Sequence, residues 1–395
     1  MSLALVVQYL AIAALTAVCV FWGRSWWRRR QPNALALFLC LVSLEVAFVI
    51  TANYYWFTTL IRVPALTQVI MHTAVLSCVF WLQVFTLYLG SSPETVNRKS
   101  RVRLVILTAC LLALYVLYLL GPLPQGLPAI NGSYGDRPYV LSYLSVFSLS
   151  LAWAIGDIAW ATRFARHVPD RYLRLGLHFI RYGSVFGLVF ALHKFAQTLA
   201  KALGTPLPWL EYSEWTGVST YLLSIGTFLC LTGFMLPSLG PRWERGRTLR
   251  RLEPLWRALT EQAPELVFST NTKDTADRLR NRITEIRDVL VGPLQPYLHP
   301  TVADRATELA IAEGLEGEQL QATVEAATVA VGLEARKHDI PAPITAAIVF
   351  NGPDAADHGV EAAWLAKVST AFTGSGVVRT VVREFTEQEI DRAHN

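Results

Sequence analysis

A chain of 395 residues that is 53% hydrophobic and only 16% charged is long enough for more than one domain and too apolar for an ordinary soluble one. Its formal charge of +5 hides a split: residues 1–247 hold 20 Lys and Arg against 8 Asp and Glu, a net of +12, while residues 248–395 hold 15 against 22, a net of −7. The basic excess belongs to the apolar half, and the acidic half is poorly suited to a phosphate backbone, which sets nucleic acid aside as a partner.

Seven apolar stretches come first: Leu3–Trp22, Ala34–Phe57, Ala65–Leu89, Leu104–Leu120, Val140–Ala161, Tyr182–Lys201 and Glu214–Leu236. Each has at least about 17 residues, enough for a helix to cross about 30 Å of hydrocarbon. Helix is required there, because an open strand would leave backbone polar groups without partners in lipid. The linkers after the first, third, fifth and seventh stretches are basic. They carry Arg24, Arg28, Arg29 and Arg30; Arg98, Lys99, Arg101 and Arg103; Arg163, Arg166, Arg171 and Arg174; and Arg242, Arg245, Arg247, Arg250 and Arg251. The segments on the other side carry only Arg62, Arg137 and Lys201. The positive-inside rule places the N-terminus outside and the C-terminal part in the cytoplasm. The first stretch has no basic residue ahead of it and four arginines behind, which marks an uncleaved anchor. Trp22, Trp26 and Trp27 on one side, and Tyr54, Tyr55, Trp56, Trp209, Tyr212 and Trp215 on the other, fall where interfacial aromatics belong.

Ionisable groups inside such stretches are costly and are functional candidates for that reason. Glu45 falls near the centre of the second stretch, His72 in the outer half of the third and Asp157 in the inner third of the fifth. Arg181 lies at a depth similar to that of Asp157, and His193 and Lys194 sit in the middle of the sixth stretch. Depth alone suggests Glu45–Lys194 and Asp157–Arg181 pairs. These six residues are the candidates for an ion or ligand pathway; the competing reading is buried pairs that fix helix register. Gly183 and Gly187 make a small-residue step that favours close helix approach and share a stripe with Lys194, which turns that lysine toward the bundle interior. Thr216, Thr220, Ser224 and Thr227 form a polar stripe whose ordinary role is to bond helix backbone. The sequon Asn131-Gly132-Ser133 reads as a turn. Cys19, Cys40, Cys78, Cys110 and Cys230 all lie inside the stretches without a CxxC, so they read as packing residues, with no metal and no disulfide expected.

Beyond about residue 248 the pattern is that of amphipathic helices. Asp274–Leu290 sets Leu279, Ile283, Ile286 and Leu290 at helical spacing; Thr301–Glu313, Glu318–Lys337 and Ala355–Phe372 follow, with a short terminal helix at Glu387–Ala393. Pro241, Pro254, Pro264, Pro293, Pro296 and Pro300 punctuate the first part, and Pro341–Pro353 reads as a linker holding the apolar run ITAAIVF. The expected fold class is all-α: a seven-transmembrane helix bundle over residues 1–240, then a soluble helical bundle over residues 248–395.

LEPLWRALTEQAPEL (Leu252–Leu266), RLRNRITEIRDVL (Arg278–Leu290) and EAATVAVGL (Glu325–Leu333) resemble the C-terminal domain of an actinobacterial family of multi-span membrane proteins. Members have a C-terminal domain of unknown function and are commonly labelled transporters. The resemblance implies a bacterial plasma membrane and brings no functional residues with it.

The chain has no Walker loop, GxGxxG, HExxH or GxSxG, so no catalytic residues and no cofactor are expected. His338 and Asp339, and Asp354, Asp357 and His358, lack the further ligands and defined geometry a metal site needs. Transporters often carry internal repeats with broken helices in matching places, whereas seven stretches do not halve and show no duplicated pattern. The sequence therefore favours a sensor or regulatory module, embedded in the lipid bilayer, with a cytosolic protein partner on residues 248–395. The alternative is a transporter of a small solute.

Overall fold

The computed structural model describes residues 3–131, 134–205, 217–268, 274–342 and 358–394. Thirteen α-helices are present among them. The chain divides into two compact units, Met1–Pro237 and Ser238–Asn395.

The first unit opens with α1 (Leu3–Arg29), α2 (Pro32–Ala52) and the short α3 (Tyr54–Ile61). α4 (Leu66–Gly90), α5 (Pro93–Leu120), α6 (Pro138–Ala161), α7 (Arg171–Ala202) and the first part of α8 (Val218–Thr260) complete it. Proline occupies the first helical position of α2, α5 and α6, where its missing N–H costs nothing. α7 is capped by Asp170, whose carboxylate accepts from the Leu173 N–H at 2.7 Å. The second apolar stretch, expected to run to Phe57, stops at Ala52. Asn53 turns its amide back onto the Val49 carbonyl at 3.0 Å and accepts from Tyr9 Oη of α1 at 2.9 Å.

Among the described residues six helices are long and apolar enough to cross a membrane: α2, α4, α5, α6 together with the 3₁₀ turn that follows it, α7 and α8. α1 is not among the six, and the expected count of seven crossings rests on it. It packs on α2 and places Leu15 and Cys19 in the core of the first unit. That core is centred on Leu37, Leu41, Leu114, Tyr143, Ile158 and Leu177, all fully buried.

Glycines set one close approach. A methyl group on Gly176 of α7 would come within 2.6 Å of the Gly233 carbonyl oxygen of α8, and one on Gly183 within 2.7 Å of the Gly226 oxygen. The expected Gly183–Gly187 step therefore serves two partners, because Gly187 meets Ile155 of α6 instead.

The second unit has its own core. It draws Leu252, Leu255 and Leu259 from the end of α8, and Ile286, Val289 and Leu290 from α9 (Thr275–Val291). Val302, Ala306 and Ala310 come from α10 (Pro300–Ala312), and Ala326, Val329 and Val331 from α11 (Gly317–Lys337). α12 (His358–Gly374) adds Trp364 and Val368, and α13 (Gly376–His394) adds Val377, Val378 and Val381. α11 is central, packing against α10, α12 and α13.

Two readings need correction. Pro241 and Pro254 do not interrupt the chain but lie within α8; each only leaves the carbonyl four residues earlier without its helical donor. The terminal helix spans Gly376–His394 and not just Glu387–Ala393, because the stripe Val377, Val378, Val381, Val382 and Phe385 buries its first half. The run ITAAIVF, together with Trp209, Tyr212, Trp215, Thr216, Asp354 and Asp357, lies outside the described residues, as do Gly132 and Ser133 of the sequon.

Candidate functional site

α5 carries one face of Val96, Arg103, Leu114 and Tyr118 inward, with Leu107 and Leu111 between them. Arg103 thus stands one helical repeat below leucines on the buried stripe, and it is only 9% exposed. Its Nη2 meets Oδ2 of Asp157 on α6 at 2.6 Å. The same oxygen accepts from Nε2 of Gln83 on α4 at 2.9 Å, and Gln83 is 2% exposed. Three helices are therefore tied through one carboxylate oxygen. Gln83 also lies 3.4 Å from the Ala154 carbonyl oxygen. Gln83 and Asp157 lie within about two turns of the C-terminal ends of α4 and α6, beside the basic linkers.

The charges cancel inside the cluster, which removes most of the cost of burying either one. One group is left over: Arg103 Nη1 is buried without a hydrogen-bond partner. A guanidinium donates in a fixed planar fork, so this nitrogen can hold an oxygen acceptor while Nη2 keeps its carboxylate. Ser100, one turn earlier on α5, likewise has a buried hydroxyl without a partner.

Of the six residues singled out in the sequence, Asp157, Glu45 and His72 each meet a different partner. Asp157 pairs with Arg103 and not with Arg181, for which no partner occurs among the described residues. Glu45 accepts a hydrogen bond from the Thr16 hydroxyl of α1. Equal depth in a bilayer fixes height along the helix axes but not the direction each helix faces. His72 is 7% exposed, its ring stacked on Phe147 at 4.0 Å between centroids, with Nδ1 3.1 Å from Oη of the fully buried Tyr143. Lys194 and His193 are half-buried on α7, Lys194 on a face whose Gly183, Ala191 and Thr198 are buried. On α8 Ser224 is exposed, whereas Thr220 and Thr227 are half-buried.

Sequence reasoning counted Arg103 as a linker charge and passed over Gln83. The signal for Arg103 was its spacing from Leu107, Leu111, Leu114 and Tyr118; for Gln83 no signal existed.

In the second unit the polar contacts knit together the segments quoted above. Glu285, 3% exposed, accepts from Trp256 Nε1 at 2.5 Å and from the Phe268 N–H at 2.8 Å. Arg282 pairs with Glu253 and lies over the Trp256 ring at 4.4 Å. Trp364 Nε1 donates to Glu325 at 2.8 Å, and Arg287 pairs with Glu361. Tyr297 Oη donates to Asp339 at 2.7 Å, and that bond raises the Tyr297 phenol above its ordinary range. His338 contacts Glu334 at 3.3 Å. Among the described residues no three of His, Cys, Asp and Glu are placed to hold a metal ion.

The fold defines a multi-span membrane protein with a separate helical unit at its C-terminal end. Residues 242–375 of that end match the model of a family of unknown function (DUF6545). No curated protein and no solved structure matches the chain.

Proposed function

We propose that the chain is a sensor or regulatory module of the bacterial plasma membrane. α1 supplies a seventh crossing, the N-terminus lies outside, and residues 248–395 form a cytosolic domain that binds a protein partner. Residues 1–240 are the membrane domain. The observation that carries the sensor reading is the Arg103–Asp157–Gln83 cluster. It ties α4, α5 and α6 through one carboxylate while Arg103 keeps a buried donor unmet. A ligand oxygen that met this donor would favour one arrangement of the three helices over another, which is what a sensing element requires. Packing of α1 on α2, with Leu15 and Cys19 in the common core, supports the seventh crossing. The basic linkers support the orientation.

The test is genetic and topological. A fluorescent reporter after Asn395 should be bright and an alkaline phosphatase there inactive. Deleting residues 248–395 from the chromosomal copy should reproduce the transcript profile of the full deletion while the membrane unit still accumulates. If the truncated protein instead keeps a solute-uptake phenotype of the full chain, the chain is a transporter and the sensor reading fails.

A further inference from the structure

Four of the five cysteines, on four helices, lie in or against the core of the first unit. The Sγ atoms of Cys40 on α2 and Cys78 on α4 are 3.7 Å apart, and both residues are buried in the core of the first unit. Cys19 of α1 lies in the same core, and Cys230 of α8 packs against it. All are free thiols.

We propose that Cys40 and Cys78 form a reversible intramembrane dithiol–disulfide pair oxidised by a lipid-soluble quinone. Closing the bond requires the sulfurs to move from 3.7 Å to about 2.05 Å. The two S–H bonds break and one Sγ–Sγ bond forms. Two electrons and two protons pass to the quinone, which leaves as the hydroquinone. The oxidant must be apolar because the sulfurs lie in an apolar core that water-soluble disulfides enter poorly. Cys78 is 8% exposed against 1% for Cys40, so Cys78 meets the quinone and Cys40 closes the bond. The product links α2 to α4, which pack closely against each other. This pair is independent of the sensor reading and stands or falls without it.

The test uses the full-length, pre-reduced protein in lipid nanodiscs, incubated with a short-chain benzoquinone. Free thiols are counted by maleimide mass-tagging after denaturation, and disulfides are mapped by peptide mass spectrometry. Two of the five thiols should be lost, with a Cys40–Cys78 cross-linked peptide, one hydroquinone formed per disulfide, and full reversal by dithiothreitol. Cys40→Ser and Cys78→Ala should each keep all four remaining thiols. Five thiols retained in the unsubstituted protein, a cross-link through Cys19 or Cys230 instead, or undiminished oxidation of Cys40→Ser would each overturn the proposal. Because mapping of the unsubstituted protein decides the pairing, a variant that fails to fold does not remove the test.

Discussion

The two units solve opposite solvation problems with the same element. On α5 the outward residues are Leu104, Val105, Leu112, Val116, Leu119 and Leu120, all exposed, while its buried face carries an arginine. On α9 the outward residues are Asp277, Arg278, Arg280, Arg287 and Asp288, and the buried face is Ile283, Ile286, Val289 and Leu290 together with the hydrogen-bonded Glu285. In water the hydrophobic effect drives the second arrangement. In lipid it gives no inward drive, so packing and buried polar bonds must hold the helices together. Each helix buries one charged residue, so the difference lies in the outward faces, apolar on α5 and charged on α9, and it predicts different weak points in the two units.

The largest effect is expected at the buried ion pair. Arg103→Gln or Asp157→Leu leaves one charge unpaired inside the bundle, which should cost about 3–5 kcal/mol. The double substitution Arg103→Met with Asp157→Leu should recover most of that in detergent melts. Additive losses would show that the two residues do not share one interaction, and would break the comparison at its centre.

Next comes the buried carboxylate of the second unit. Glu285→Ala strands the Trp256 indole N–H and the Phe268 backbone N–H, at about 1–3 kcal/mol for each unmet donor. A fragment spanning Ser238–Asn395 should be soluble, strongly helical and cooperative in melting, and should show this loss on its own. Adding Trp256→Phe to Glu285→Ala should cost less than Trp256→Phe does alone, since the indole has already lost its acceptor. A fragment with a random-coil spectrum would deny this unit an independent core.

Glycine substitutions sharpen the contrast by sign. Gly176→Ala drives a methyl group to within 2.6 Å of the Gly233 oxygen, and the overpacking should cost about 1–3 kcal/mol. Gly246, on the part of α8 in the second unit, has nothing within 4 Å of an added methyl group. Gly246→Ala should stabilise by roughly 0.5–1 kcal/mol, the usual helix-interior difference. Two losses would mean that the second site is packed and not open.

Helices were legible in the sequence because apolar runs and amphipathic periods are local properties. α9, α10, α11 and α12 begin and end within a few residues of their expected bounds. What escaped was whatever depends on the direction a helix faces. Asp157 found Arg103 on α5 because the stripe through Leu107 and Leu114 turns that arginine inward; depth alone had suggested Arg181. Gln83 carries no periodic signal, since its importance comes only from Asp157 lying opposite. The approach of Cys40 to Cys78 is invisible for the same reason: spacing along the chain says nothing about which helix faces meet. α13 is the exception, since Val377, Val381 and Phe385 did offer a readable stripe.

The smallest effect should appear at the surface of the second unit. Arg305 makes a forked pair with Glu384 through Nε and Nη2 at 2.9 and 3.0 Å, and Glu334 pairs with Lys337 at 2.8 Å. The Arg305 hydrogen bond holds the Glu384 carboxyl below its ordinary 4.5, and the Lys337 hydrogen bond does the same for Glu334. A carboxylate whose proton affinity is depressed by folding stabilises the folded form above its unfolded value, and that gain disappears as pH falls through the folded value. The fragment should therefore lose melting temperature as pH drops below 4.5. Glu384→Gln should flatten part of that decline and leave the melting temperature at pH 7 slightly lower. Because both pairs are exposed to water, added salt should shrink the difference further. A decline unchanged by Glu384→Gln would place the acid sensitivity at Glu334 or at Glu253, whose carboxyl is held below its ordinary value by Arg282 and Arg257 against the upward push of burial.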